Sequence, residues 1–248
     1  MKKIFRHIPN FITSLNLVSG VLAIFFAIDG HLTWAGIFII FAAVLDFADG
    51  FAARLLKSYS EMGKQLDSLA DVISFGVAPG AILFTLLEFS LFKMNQPIYK
   101  ITAHWVEWLI LFSAFLIPVF GALRLAKFNV TETDEPFFRG LPIPANGLFW
   151  ASLGFILEMQ EYSTVFGYLY TPHNLLLLGI FFSGMMVINL PMFTLKFKSL
   201  SFKENWYRYL FAGISILLII LFTFSGLALT IAAYIVLNII FYLLKVRF

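Results

Sequence analysis

The sequence predicts an all-α polytopic membrane protein of about eight transmembrane helices with both termini in the cytoplasm. Three observations lead there: long apolar runs, a shortage of charge, and a lopsided placement of lysine and arginine. Of 248 residues, 60% are hydrophobic and only 12% charged, against about 25% charged in a soluble domain. A bilayer core of about 30 Å takes roughly 20 apolar residues in helical form. Stretches of this kind run over Phe11–Ile28, Trp34–Phe51, Leu69–Phe92, Trp105–Ala126, Pro144–Met159, Leu175–Leu195, Tyr209–Phe224 and Leu227–Leu244. The fifth is the shortest. The last two are separated only by Ser225-Gly226, which predicts a tight helical hairpin, and Pro79 and Pro191 are expected to kink their helices.

Basic residues set the orientation. Lys2, Lys3, Arg6, Arg54, Lys57, Lys64, Arg124, Lys127, Arg139, Lys196, Lys198, Lys203, Arg208, Lys245 and Arg247 fall on one side of an eight-span arrangement, and only Lys93 and Lys100 on the other. The positive-inside rule makes the crowded side cytoplasmic. The basic segment before the first run resembles the start of a signal peptide, but the run is long and Ala27-Ile28-Asp29 is a poor cleavage site, so an uncleaved first span is expected. The whole chain, 1–248, reads as a single membrane domain, with a catalytic core over about 8–150 and accessory spans over about 175–244. A net charge of +3 without a basic patch argues against a nucleic-acid partner. The absence of cysteine excludes disulfides, thiolate metal sites and cysteine nucleophiles.

Four aspartates stand where aspartates are costly. An acid at the centre of a span costs about 2.5–3.5 kcal/mol, less toward the interface. Asp46 and Asp49 lie near the inner end of the second run, and Asp67 and Asp71 at the inner start of the third. The intervals i, i+3 and i, i+4 put each pair on one helical face. Carboxylates gathered in a low dielectric repel unless protons or cations intervene, and two divalent ions balance four aspartates. Oxygen-only ligands favour hard ions such as Mg²⁺ or Mn²⁺. No histidine is spaced with these acids, so a zinc site is not expected. Gly63, Asp67 and Asp71 form a stripe in which Gly63 leaves room for a ligand. On the other helix, Asp46, Gly50, Ala53 and Arg54 lie near one face, with Arg54 able to fork onto phosphate oxygens. These are parts for clamping a pyrophosphate during in-line displacement. Isolated intramembrane acids can instead be salt-bridge partners or helix glue, but four in register with Gly, Ala and Arg fit that reading poorly. Glu88 and Glu107, toward the outer ends of their spans, read as snorkelling or interfacial residues. Trp34, Trp105 and Trp206 read as interface anchors, and Gly76 with Gly80 as a close helix-packing face.

The segment from Asp46 to Arg54, followed by Gly63, Asp67 and Asp71, fits the pattern DxxDGxxARx(8)GxxxDxxxD at every defined position. In this the chain resembles the CDP-alcohol phosphotransferase family. The resemblance implies that the four aspartates bind two divalent metals, that Asp71 is the general base, and that Gly50, Ala53, Arg54 and Gly63 shape a CDP pocket. Ile8–Asn16, Leu66–Pro79, Arg124–Asn129 and Gly140–Ala145 are similar to the branch that moves a phosphatidyl group from CDP-diacylglycerol onto L-serine with release of CMP. The glycerol-phosphate branch typically has arginine where Asn16 stands. The likeness covers roughly residues 8–150 and implies a homodimer in the cell (inner) membrane, its active site on the cytoplasmic face.

Serine offers a carboxylate, so a nearby arginine is expected. Arg124 and Arg139 are the candidates, with Lys127 and Asn129 behind them. Arg124 and Lys127 serve equally well as residues that merely stop the fourth span. Gly140-Leu141-Pro142-Ile143-Pro144 is expected to be a stiff elbow placing Arg139. The alternatives are another acceptor alcohol such as glycerol 3-phosphate or inositol phosphate, an ion-coupled transporter, and a structural scaffold.

Overall fold

The computed structural model describes residues 7–130, 137–159, 164–194 and 201–245. Lys2, Lys3, Arg6, Lys196, Lys198, Arg247 and the expected end of the sixth span at Leu195 lie outside the described residues. The protein is an all-α membrane protein. Five of its helices are long and apolar enough to cross a bilayer: α1 (Ile8–Ile28), α2 (Leu32–Leu55), α3 (Glu61–Phe92), α4 (Trp105–Val130) and the last, Phe202–Leu243. Between them come α5 (Ile143–Glu158), the short α6 (Thr164–Leu169) and α7 (Pro172–Val187), so the last helix is α8. At 16 residues each, α5 and α7 reach only about 24 Å.

Burial identifies the axis of the bundle. The most apolar window of α3 is 72% buried, whereas those of α1, α2, α4 and α8 are 28–33% buried. The outer helices turn large apolar side chains outward, among them Phe25, Phe47 and Ile220. Such a surface is unfavourable in water and at home among lipid tails.

Small residues and hydroxyls draw the helices onto α3. Cβ atoms at Gly76 and Gly80 would come within 3.3 and 3.1 Å of Pro118 on α4, so the pair forms a close-packed face inside the chain. Hydroxyls bond across helices to free carbonyl lone pairs: Ser74 Oγ donates to Asn16 O (3.0 Å), Ser19 Oγ to Phe38 O (2.8 Å) and Thr85 Oγ1 to Ala27 O (2.7 Å). Just ahead of Pro79, α3 widens into a π turn over Ile73–Val77, a local rearrangement of the kind that accommodates a missing proline N–H.

The predicted hairpin forms in α8. The backbone leaves helical geometry at Thr223 (φ 47°, ψ −114°), and a Cβ at Gly226 would collide with the Leu218 carbonyl. The arms pack on each other through Trp206 and Phe241 (ring centroids 5.5 Å apart) and through Phe211 and Tyr234 (5.4 Å).

Three expectations need correction. Pro191 kinks no helix: α7 stops at Val187, and Pro191 begins β2 (Pro191–Phe193), paired antiparallel with β1 (Phe137–Arg139). A proline at the first position of an edge strand costs no ladder bond. The sixth apolar run is accordingly a shorter helix followed by a strand. Glu88 does not reach for solvent: it is 2% exposed, and its carboxylate accepts from the Gln96 N–H (2.8 Å) and Asn95 Nδ2 (3.3 Å), folding the outer loop over itself. Glu107, half-buried at the start of α4, accepts from the His104 N–H at 2.7 Å as a capping box, which is compatible with an interfacial place. The elbow is present: Gly140 has φ +74°, and a Cβ there would sit 2.5 Å from Met186 O, so glycine is required.

Gly80→Leu will overpack the α3–α4 contact and destabilise by about 1–3 kcal/mol. Gly184, with open space over its Cα, will accept alanine at no cost or gain up to about 1 kcal/mol from helix propensity. Thermal unfolding of the two variants in detergent will move the melting temperature in opposite directions.

Candidate active site

The adjoining ends of three helices build the site: the start of α1, the end of α2 and the start of α3. Helix α1 is apolar, yet its buried stripe runs Pro9, Thr13, Asn16, Ser19, Gly20, Ala23 and Ala27, a polar and small face at helical spacing. This face lies against both α2 and α3, and so holds together the two helices that carry the aspartates. Helix α3 starts at Glu61 because Ser60 caps it, its Oγ accepting the Gly63 N–H at 3.0 Å.

Asp46, Asp49 and Asp67 each present a carboxylate oxygen such that the three oxygens lie within 4.8 Å of one another. Asp71, a turn deeper and 9% exposed, stands beside this trio, near enough for Asp46, Asp67 and Asp49 to act on its charge. Two unit charges 4.8 Å apart repel by about 3 kcal/mol at an effective dielectric of about 20. Four ionised acids here therefore need positive charge. Thr13 Oγ1 donates to Asp49 Oδ2 at 2.6 Å, Arg124 lies within electrostatic range of Asp71, and Asp71 Oδ1 is buried with no hydrogen-bond partner among the described residues. An all-oxygen donor set containing an orphaned buried carboxylate oxygen fits a hard divalent cation.

Above the cluster opens a cavity of about 720 Å³, lined by Asn10, Thr13, Asp49, Gly50, Tyr59 and Asp67 among others. Its size is that of a small-molecule site. A Cβ at Gly50 would meet nothing within 4 Å, so this glycine does leave open space. Gly63 does not: a Cβ there would fall 2.9 Å from Asn10 Oδ1, so its bareness serves the approach of α1. Ala53 lines the cavity, while Arg54 is exposed at the end of α2 and stands off its wall.

The basic candidates separate. Arg124 of α4 reaches inward: Asp71 and Tyr234 lie within electrostatic range of it, its Nε is buried without a partner, and its guanidinium is 6.0 Å from the Phe138 ring centroid. Lys127 Nζ donates to Asn189 Oδ1 (2.8 Å) and Asn129 Nδ2 to Ser68 Oγ (2.9 Å). Arg139 is exposed on β1.

The sequence profile described as CDP-alcohol phosphatidyltransferase matches residues 6–187. The chain belongs to the CDP-alcohol phosphatidyltransferase family. Among its relatives, the CDP-diacylglycerol–serine O-phosphatidyltransferase of Bacillus subtilis (strain 168) is 36% identical over 150 residues, 60% of this chain and 76% of that one. The enzyme of the same name from Helicobacter pylori (strain 26695) is 34% identical over 139 residues, 55% and 52% of the two chains. The archaetidylserine synthase of Methanothermobacter thermautotrophicus is 34% identical over 161 residues, 63% and 62%. The chain thus spans about three quarters of the Bacillus relative and about half of the Helicobacter one.

Reading the aspartate motif of this phosphatidyltransferase family member by itself passes over Asn10 and Thr13. The available signal was the polar stripe on an otherwise apolar α1, which has no reason to exist on a lipid-facing helix. Thr13→Val keeps the shape and removes the hydroxyl that orients Asp49. It will weaken Mn²⁺ binding, followed by calorimetry, by roughly 10–100-fold, as loss of a group that orients a metal ligand does.

Proposed function

We propose that this chain transfers the phosphatidyl group of CDP-diacylglycerol to the hydroxyl of L-serine, forming phosphatidylserine and releasing CMP. The observation that carries the reading is the convergence of the motif aspartates under an open cavity. The chain bearing them has relatives that are named serine phosphatidyltransferases. Asp46, Asp49, Asp67 and Asp71 would hold two divalent ions, Mg²⁺ or Mn²⁺. When bound, these ions supply the positive charge that neutralises the pyrophosphate and stabilises the departing CMP. The open space over Gly50 and the wall at Ala53 accommodate the nucleotide, with Gly63 bringing Asn10 to the rim. Arg54 reaches the phosphates from outside the wall.

The reaction is an in-line displacement. Asp71 takes the proton of the serine hydroxyl. The serine oxygen forms a bond to the phosphorus that carries diacylglycerol, and the bond from that phosphorus to the CMP oxygen breaks with its electron pair going to CMP. Arg124 faces Asp71 and provides a partner for the serine carboxylate, with Arg139, Lys127 and Asn129 further out. The cytoplasmic face of the cell membrane is the side for this chemistry, since nucleotide and serine come from water while the acyl chains stay in lipid. The eight-span topology with both termini inside is supported by the α8 hairpin, which adds a sixth crossing to the five long helices, and by α5 and α7 packed within the bundle. A homodimer is the assembly the family resemblance implies.

Purified protein with CDP-diacylglycerol will release CMP on addition of serine, and chelation will abolish the release until Mg²⁺ or Mn²⁺ is returned. Glycerol 3-phosphate or inositol phosphate outpacing serine in the same assay would assign the chain to another acceptor. Asp71→Asn will retain CDP-lipid binding and lose about 10²–10⁴-fold in turnover, the range of general-base assistance.

A further inference from the structure

The profile match ends at residue 187, yet the chain beyond it is tied to the acceptor side of the site. The link begins at Phe193, the last residue of β2. Its N–H donates to Asn238 Oδ1 at 2.9 Å, and its carbonyl accepts from the Tyr234 hydroxyl at 2.8 Å. Asn238 is fully buried and its own Nδ2 donates to the Tyr234 main-chain carbonyl at 2.8 Å, so its side chain is fixed to the helix turn that carries Tyr234. The Phe193 ring is buried against Tyr207, Phe211 and Tyr234. Both backbone polar groups of one strand residue are thus held by the second arm of the hairpin. In an apolar surrounding, releasing either group leaves it unpaired.

From β2 the restraint passes to β1. Phe137 pairs with Phe193 and Arg139 with Pro191. The following elbow is fastened to the end of α7 and the start of β2, with Gly140 N–H donating to Leu190 O (2.9 Å) and Leu141 N–H to Met185 O (2.7 Å). Between these points Phe138 lies beneath the Arg124 guanidinium. Arg124 therefore has the Phe138 ring 6.0 Å away and lies within electrostatic range of both Asp71 and Tyr234.

We infer that the C-terminal hairpin is a clamp for the acceptor half of the active site, in which Tyr234 and Asn238 are positioning residues that fix β2, β1 and through them the Arg124 guanidinium opposite Asp71. The inference rests on the reading of Arg124 as the partner of the acceptor's carboxylate. It predicts a selective effect, because the CDP-lipid cavity is built by α1, α2 and α3 and does not share these contacts.

The test uses the full chain with CDP-diacylglycerol and Mg²⁺ or Mn²⁺, comparing wild type with Tyr234→Phe and Asn238→Leu. Tyr234→Phe keeps the ring in its aromatic cluster and removes only the hydroxyl, so its folding is safeguarded. Both variants are expected to raise the serine KM by roughly three- to tenfold, the size of one lost hydrogen bond expressed as affinity. The KM for CDP-diacylglycerol and kcat should stay within about twofold. Independently of turnover, hydrogen exchange of the amides over 137–141 should accelerate roughly tenfold in Asn238→Leu, since the strand pair has lost its anchor. A serine KM unchanged in Tyr234→Phe overturns the clamp. Equal weakening of both substrates, or unaltered exchange at 137–141, overturns it as well. If wild type releases CMP with a different alcohol, the serine reading fails separately. The KM of that alcohol then decides the clamp by the same criterion.

Discussion

Everything in this molecule answers to one electrostatic constraint: three carboxylates, Asp46, Asp49 and Asp67, gather at the adjoining ends of two membrane helices, with Asp71 buried a turn further along. Left to themselves they disperse, since each pair repels by an amount comparable to the cost of inserting an acid into a bilayer. Covalent geometry contributes the first half of the solution. Spacings of three and four residues give Asp46 with Asp49 and Asp67 with Asp71 common faces before any tertiary contact forms. Packing contributes the second half, because α1 lies along both helices and presents Thr13 to Asp49. What neither supplies is a donor to one buried oxygen. Asp71 Oδ1 has no hydrogen-bond partner among the described residues, which suits the divalent cation proposed for this site.

The same constraint explains the polar and small stripe of α1 and the burial of α3. A helix between lipid and protein needs no Asn, Thr or Ser; on α1 these face inward, where Ser74 and Phe38 engage their neighbours. Helix α3 becomes the axis of the bundle because it carries Asp67 and Asp71 at one end, its Gly76 and Gly80 admit α4 to close range, and Gly147 of α5 lets that helix approach the Phe75 backbone. The π turn at Ile73–Val77 falls just beyond Asp71. Wide turns of this sort recur at functional sites because they re-aim side chains by a fraction of a helical step.

Much of this was legible in sequence because it is local. Apolar run lengths, the intervals within each aspartate pair, the Gly140 elbow and the Ser225-Gly226 hairpin are each properties of a short window, and the structure bears out the helical character of the runs other than the end of the sixth, the elbow and the hairpin. The failures were non-local. Pro191 sits in an apolar run and reads as a helix residue until β1 is found 52 positions away in register with it, Arg139 opposite Pro191. Gly63 reads as space for a ligand until Asn10 arrives from another helix. Glu88 reads as interfacial until the outer loop folds back to cap it. A single chain without aligned relatives carries no record of such pairings, and hydropathy is blind to them.

The division of labour along the chain follows from the phases its proposed substrates occupy. CDP-diacylglycerol belongs to both lipid and water, so its cavity has to open at helix ends, and α1, α2 and α3 provide that within a short span of sequence. The acceptor is a small water-soluble molecule with no anchor, and holding it demands a fixed counter-charge, not a large surface. Arginine on a helix end is mobile unless its flanks are walled. Here the wall is a two-strand ribbon, a structure only marginally stable alone. Its stability is borrowed from the buried Asn238 and Tyr234 of α8, whose bonds to the Phe193 backbone have no water to compete with them. A hairpin with no motif of its own can therefore matter to the chemistry as much as the residues that touch it.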